Sequence, residues 1–407
     1  MPRKRAILCK FGRSLRLSES INGPVSKSIP LARSMEQATI CANNLLRPEL
    51  YRTCGFGNRY IFVPNAVDIF SGSGGVTQGL RAARWRVLAA CDNDAVAAAT
   101  YRANHCRTKF VEADILLDKT IDSITAAVGN QHVHMLVICA PCQPFSSQNR
   151  YRGDDAREHL IVRALSIAQR LDPDTIFFEN VPGLATPAYK FIVLDVQKRL
   201  AEFGYVVTEP MVRDAADFGV PQRRKRCIMF AAKSRAALNA FRECDAKAPR
   251  KSVFQAIGDL PALKSSESSE TDVLHRARAH LPIALERLMH IPIDGGSRKS
   301  LPEHLELMCH KNKAKSFSDV YGRMSWHDVA PTLTTGCTDV TRGRFAHPEQ
   351  HRAITLREAA RLQSFPDSYK FTGRPGQVAV QIGNAVPPDM IKAFVPAFKA
   401  ALAATPE

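Results

Sequence analysis

The chain has 407 residues, 45% hydrophobic and 23% charged, and no run approaches the roughly 18 uninterrupted apolar residues of a membrane span. At about 150 residues per domain this length predicts two or three domains with a sizeable core, and it excludes a single small module or a membrane-embedded chain. Lys and Arg number 56 against 39 Asp and Glu, and the net charge of +17 favours a polyanionic partner such as nucleic acid or an acidic lipid surface, a balance that a merely basic enzyme also has.

Residues 1–60 are Arg- and Ser-rich and acid-poor. That is the composition of an organelle transit peptide, of a disordered basic arm, or of a start assigned too early with Met35 as the true one. The apolar stretch Ala6-Ile7-Leu8 is too short for a signal-peptide core. Eleven cysteines in no dense framework imply a reducing compartment, hence an expected cytoplasmic, nucleoid-associated location.

From residue 61 to 235, short apolar runs alternate with helical patterns, the signature of a parallel sheet built from βαβ units. Strands are predicted at Ala66–Phe70, at Val87–Cys91 ending on Asp92, more weakly at Phe110–Asp114, at His134–Ile138 stopping at Pro141, and at Thr175–Phe178. Residues 155–171 carry apolar positions at three- and four-residue steps and predict a helix. Tyr205–Thr208 and Cys227–Phe230 predict a terminal antiparallel pair. Beyond this the alternation breaks down, so 236–370 is expected to be a second, smaller, irregular and basic domain, with 371–407 returning to the first. Helical periodicity reappears at Thr355–Gln363 and at Pro388–Ala401.

In open α/β sheets, ligands sit beyond the carboxyl ends of the strands, and four groups of residues fall there. Ser71–Gly75 offers small residues for close backbone approach to a cofactor, and Asp92, about twenty residues on, can accept hydrogen bonds from ribose hydroxyls. A nucleoside-bearing cofactor is favoured; Thr77 stands where a nicotinamide fingerprint needs glycine. The Ala140-Pro141-Cys142-Gln143 run puts a thiol at a strand's mouth, although an isolated cysteine is more often structural. Cys139 and Cys142 also form a C-x-x-C, a redox spacing, but no thioredoxin-like domain surrounds it. A zinc deaminase needs a second cysteine where Phe145 stands, and no metal site is implied. Glu179, in Glu179-Asn180-Val181, is a carboxyl beside an apolar cleft that can be held protonated, or a capping residue. Gln222-Arg223-Arg224-Lys225-Arg226 is a cationic run in which strand alternation points Arg224 and Arg226 the same way.

In order and spacing these motifs resemble the DNA (cytosine-5) methyltransferases of prokaryotic type. Phe70-x-Gly72-x-Gly74-Gly75 is similar to their cofactor loop, Pro141-Cys142-Gln143 to their nucleophile motif, Glu179-Asn180-Val181 to their acid motif and Gln222–Arg226 to their Q-R-R-x-R segment. Ile354–Asp367 and Gln381–Pro388 resemble their scaffold and closing motifs, so the resemblance spans roughly 62–400.

The resemblance implies an α/β fold, a Rossmann-like class I methyltransferase sheet with a smaller target-recognition domain. It also implies S-adenosyl-L-methionine as cofactor, double-stranded DNA as partner and a monomer; a cognate restriction endonuclease is compatible with it. By the same carry-over Cys142 is the nucleophile, Glu179 the acid, Arg226 the holder of the cytosine carbonyl and Arg224 the support of the acid. Phe70, Gly72 and Gly74 line the cofactor loop, Asp92 takes the ribose, Asp114 and Ile115 the adenine, and Leu160, Asn384 and Val386 complete the pocket. Asn93 departs from the aromatic that many members have there. Ser146 is expected at the flipped nucleotide's backbone, and Arg298 and Arg323 are the candidates for DNA contact. A tRNA methyltransferase shares two of the motifs, but its Cys-Phe-Thr is absent. A thiol oxidoreductase and a catalytically silent DNA-binding protein are the rivals from other classes.

Overall fold

The computed structural model describes residues 62–141, 159–244, 247–310 and 319–405, all within one compact unit, Glu49–Glu407. The predicted alternation is present as β1 (Asn65–Ile69), α1 (Gly75–Ala82), β2 (Arg86–Asp92), α2 (Ala95–Asn104), β3 (Lys109–Glu112), α3 (Asp118–Val128), β4 (Met135–Ile138), α4 (His159–Leu171), β5 (Thr175–Asn180) and α5 (Lys190–Glu202). Then follow β6 (Val206–Val207), β7 (Met211–Asp214), β8 (Lys225–Ala232) and α6 (Arg235–Glu243).

These strands form one sheet in the order β3-β2-β1-β4-β5-β8-β6, with β7 also on β8. Strands β1 to β5 pair in parallel, whereas β8 runs antiparallel to β5, β6 and β7. The chain winds outward from β1 to β3, then crosses to β4 and winds the other way. The strand order thus reverses between β1 and β4, the position at which open α/β sheets carry their ligand crevice. All residues of β4 and β5 are buried, as expected of central strands covered on both faces.

One face carries α3, α4 and α5 over Val67, Leu136 and Phe178. The other carries an aromatic stack in which Phe230 lies 3.9 Å from Phe241, with Phe177, Phe394 and Phe398 around them. Ala237, Leu238 and Phe241 of α6 belong to this second layer, so sheet packing continues past residue 235.

The remaining helices are α7 (Val253–Ile257), α8 (Pro282–His290), α9 (Leu356–Leu362), α10 (Pro375–Asn384) and α11 (Pro388–Ala403). Strand pairing is limited to isolated bridges among the described residues of 247–353, in keeping with the irregular texture of the sequence there. Helix α9 matches expectation closely, with Thr355 and Glu358 forming a reciprocal capping box. Helix α11 returns to lie on the sheet through Phe394 and Phe398. Helix α10 was not expected, because its glycines suggested a loop; Pro375 at its first turn is the start signal. Strand β3 ends at Glu112, short of Asp114, whose carboxylate accepts the Leu116 N–H at 2.9 Å and turns the chain. No helix among the described residues is long and apolar enough to cross a membrane.

Candidate active site

Beyond β1, the Gly-rich segment turns back on itself at Phe70, Gly72 and Gly74, whose φ angles are 60°, 50° and 93°. Only glycine takes that region readily, which explains two of the three residue types. The loop is fixed from β2: Ser71 N donates to Cys91 O at 3.0 Å, and Gly72 N to Asp92 Oδ2 at 2.8 Å. Asp92 Oδ1 accepts from Asp94 N at 2.9 Å. Burial, with Asp94 nearby, raises the pKa of Asp92 above the usual carboxylate range despite these bonds.

The other cofactor candidates gather around this loop. Ala113 N bonds Asp92 O at 3.1 Å, which brings half-buried Asp114 and buried Ile115 beside the end of β2. Arg163 Nε donates to Ile115 O at 3.2 Å, so α4, which carries half-buried Leu160, lies against the same turn. A Cβ on Gly75 would stand 2.2 Å from Val386 O, so the closing motif touches the Gly-rich loop backbone to backbone. Asn384, exposed, is two residues away.

The second cluster lies at the ends of β4, β5 and β8. Asn180 Nδ2 donates to Ala140 O at 3.3 Å and its Oδ1 accepts Val181 N at 2.9 Å, so the Glu-Asn-Val motif holds the chain entering Pro141. Cys142 and Ser146 follow Pro141 and lie outside the described residues. Glu179 is 5% exposed, and Arg226 Nε stands 2.8 Å from its Oε1. That approach is an ion pair without hydrogen-bond alignment, and Oε1 has no hydrogen-bond donor among the described residues. Cys227, next to Arg226, is walled in: burial, with the Glu179 charge nearby, pushes its thiol up to about 12 and makes it inert.

Two expectations are corrected. Arg224 was expected to support the acid, but the arginine that pairs with Glu179 is Arg226. Strand β8 begins at Lys225, so the alternation that put both arginines on one side does not reach Arg224. Arg224 is 2% exposed, and its guanidinium donates to Leu333 O at 3.1 Å and Gly383 O at 2.9 Å. Arg323 was expected at DNA; it is wholly buried and donates to Ile291 O (3.1 Å), His347 O (2.9 Å), Gln350 O (2.8 Å) and Leu288 O (2.8 Å). With His351 Nδ1 at 2.6 Å taking the fifth N–H, the guanidinium is saturated and cannot also read a base. Arg298 is half-buried at the start of a short turn, Arg298–Ser300.

Sequence reasoning missed the buried amides that join the motifs. Gln222 Oε1 accepts Leu333 N at 3.0 Å, and Gln363 Nε2 donates to Ile382 O at 2.8 Å and Ala385 O at 2.9 Å. The available signal was a Gln on the apolar face of the predicted helix: Gln363 lies three and four residues after Ala360 and Ala359.

At the opposite ends of the strands His132, His134 and Asp174 gather their donor atoms within 4.8 Å. His134 Nδ1, however, accepts Asn65 N–H at 2.9 Å, so the neutral ring carries its proton on Nε2, the nitrogen a metal would have to take.

The family model for C-5 cytosine-specific DNA methylase matches residues 65–400. The Type II methylase M.HgiDII of Herpetosiphon aurantiacus is 38% identical over 329 residues, covering 79% of this chain and 91% of that protein. The Type II methyltransferase M.XorII of Xanthomonas oryzae is 32% identical, covering 84% and 86%. A solved E. coli structure described as a prophage-encoded DNA modification methyltransferase superposes with a TM-score of 0.64 at 23% identity, over 83% of this chain and 98% of that one. The methyltransferase EhMeth of Entamoeba histolytica gives 0.55 at 16%, over 83% and 98%. These two likenesses speak for the fold, a Rossmann-like class I methyltransferase sheet. The chain belongs to the C-5 cytosine-specific DNA methylase family.

Proposed function

We propose that this protein transfers a methyl group from S-adenosyl-L-methionine to C5 of a cytosine flipped out of duplex DNA, through a transient bond between Cys142 and C6. The observation that carries the reading is the buried Glu179–Arg226 pair, 2.8 Å apart, at the strand ends where Asn180 holds the chain entering Pro141-Cys142.

The residues present fit the donor. Gly72 and Gly74 keep a backbone turn free of side chains, Ser73 Oγ is buried with no hydrogen-bond partner among the described residues, and the Asp92 carboxylate ends β2 beside them. Phe70, Gly72, Gly74, Asp92, Asp114, Ile115, Leu160, Asn384 and Val386 would hold it. When bound, it supplies an electrophilic methyl on a sulfonium sulfur.

The chain's own groups prepare the pyrimidine. C5 of cytosine is a poor nucleophile until a thiolate adds at C6 and its electron pair moves into the ring. An unperturbed thiol with a pKa of about 8.5 is mostly protonated at neutral pH, so the Arg226 cation near the mouth of β4 favours the reactive form of Cys142. With Oε1 of Glu179 free of other partners among the described residues, a proton carried there would be given to N3 as that charge arrives, while Arg226 holds the acid and the cytosine carbonyl. Loss of the C5 proton then expels the thiolate and restores the ring.

Residues 236–370 would read the target sequence, with Arg298 and the flanking basic side chains on phosphates and bases and Ser146 on the flipped nucleotide's backbone. Residues 371–407 would return the chain to the donor. Flipping costs a few kcal/mol, which those contacts must supply.

Duplex DNA carrying 5-fluorocytosine in the target should trap a covalent complex that disappears in Cys142→Ala. Bisulfite sequencing of DNA from an expressing host that lacks its own cytosine methylation should show new protected cytosines in one sequence context. No adduct and no protected cytosine from folded wild-type protein would overturn the reading.

A further inference from the structure

The back of the Gly-rich loop is held by a directional chain of polar groups drawn from α1, the residue that follows α2, and Tyr369. Arg81, a donor only, gives an N–H to His105 Nδ1 at 2.9 Å. The neutral imidazole then carries its proton on Nε2, which faces Tyr369 Oη at 3.0 Å. Burial, with Arg81 next, lowers His105 to about 4 and keeps the ring neutral at working pH. With Tyr369 Oη accepting from His105, its own O–H donates to Ser73 O. Arg81 Nη1 also donates to Asn104 O at 2.9 Å, which fixes the guanidinium, and the chain from Arg81 to Ser73 has one sense.

Ser73 lies between Gly72 and Gly74, both at positive φ, in the most freely rotating stretch of the loop. A Cβ at Gly74 would stand 2.6 Å from His105 Nε2 and 2.8 Å from Tyr369 Oη, so the pair is the wall against which the loop folds. Tyr369 is itself anchored independently of its hydroxyl. Lys370 N and O bond the Asn104 amide at 2.9 and 2.7 Å, and Thr372 N bonds Thr100 Oγ1 at 2.9 Å. Removing the hydroxyl therefore frees the Ser73 carbonyl without undocking the segment.

We propose that Tyr369, backed by His105 and Arg81, is a positioning residue for the methyl donor, holding the Ser73 carbonyl so that the Gly72–Gly74 backbone is preset for binding. The proposal rests on the reading of this loop as the S-adenosylmethionine site. A loop that no longer populates only the competent conformation lowers apparent affinity by the lost fraction and leaves bound-state chemistry intact.

The test is equilibrium binding of radiolabelled S-adenosylmethionine to the full-length protein, with steady-state methylation of duplex DNA. Tyr369→Phe should raise Kd and KM for the donor about five- to tenfold, the scale of one lost hydrogen bond, with kcat within about twofold. Tyr205→Phe is the control: it deletes an equally buried hydroxyl from a backbone carbonyl, Pro173 O, at the other end of the sheet, and should leave both constants unchanged. Exposed Arg81, changed to Met, tests the chain without touching its buried end and should raise Kd at least about twofold. Unchanged Kd in both Tyr369→Phe and Arg81→Met, an equal rise in Tyr205→Phe, or a fall in kcat at constant KM would overturn the proposal. Wild-type protein that binds no S-adenosylmethionine would instead overturn the cofactor reading, and the proposal with it.

Discussion

Gln222 donates its side-chain amide to Gln363 Oε1 at 2.5 Å, joining segments 141 residues apart. Both residues are fully buried. Through Gln222 Oε1 the bridge extends to Leu333, and through Gln363 Nε2 to the end of α10, so the Gln-Arg-Arg run, the scaffold motif and the closing motif share one network. Each amide is thus committed through both its oxygen and its nitrogen.

Replacing Gln363 by Leu would strip the Ala385 carbonyl of the Gln363 amide, leave the Ile382 carbonyl only the Ala385 N–H at 3.3 Å, and should destabilise the protein by roughly 2–4 kcal/mol. Gln222→Leu should lose a similar amount, and the double variant clearly less than the sum, because the second change removes partners already orphaned. Urea midpoints of the four proteins measure this. Additive losses would mean the two amides act independently.

Much of this site was legible because its chemistry stands where strands stop. Ile138 closes an apolar run just before Ala140-Pro141, and Phe178 just before Glu179, so the crevice side of both was readable from patterning alone. The errors share one cause, contacts made far along the chain. Arg323 looks solvated in a polar stretch, yet its acceptors come from Leu288 and Ile291 on one side and His347 and Gln350 on the other. Which arginine meets Glu179 depended on where β8 begins, and strand ends are poorly marked by composition.

Glu179→Gln keeps the shape of the side chain while removing the ionisable proton and the charge beside Arg226. The expected result is a fall in kcat of about a hundredfold or more with donor affinity little changed, since acid assistance contributes on that scale. Single-turnover methylation, alongside donor binding, separates the two. A Glu179→Gln enzyme that turns over at the full rate would remove Glu179 from the acid role.

Within the second part of the chain, Glu358 is paired with Arg352 through two bonds of 2.8 and 2.7 Å, both side chains being almost wholly buried. The Arg352 guanidinium, with His347 nearby, outweighs burial and holds the Glu358 carboxyl below its usual range. Its stabilising effect is therefore present above the unfolded value near 4.3 and fades as pH falls below it. Glu358→Gln should cost about 3–5 kcal/mol at pH 7 by stranding the arginine. His347, lowered to about 4 by burial, adds a second acid-side loss: the unfolded chain takes up its proton near 6.5 while the fold refuses it, so stability declines from about pH 6.5 down to 4. Thermal melts from pH 7 to 4 in wild type and His347→Gln should converge toward the acid end as that contribution drops out.

Asp68 presents the opposite sign. It lies at 0% exposure on β1, with Thr77 Oγ1 at 2.7 Å from Oδ2 and no hydrogen-bond partner for Oδ1 among the described residues. Burial raises its carboxyl to about 7, against the pull of the Thr77 bond and with Asp92 adding to the rise. Up to that pH the folded state holds a proton that the unfolded chain has released above about 3.9. The stability linked to this group is therefore complete below about pH 4 and is lost as pH rises to 7, by up to about 4 kcal/mol. Asp68→Asn retains an acceptor for Thr77 and cannot ionise. Its melting temperature should lie closest to wild type near pH 4 and gain on it steadily from there to about pH 7, and taking the difference between the two proteins cancels the histidine contributions. A difference that stays flat across that range would mean that Asp68 is ionised throughout, with a donor reaching Oδ1.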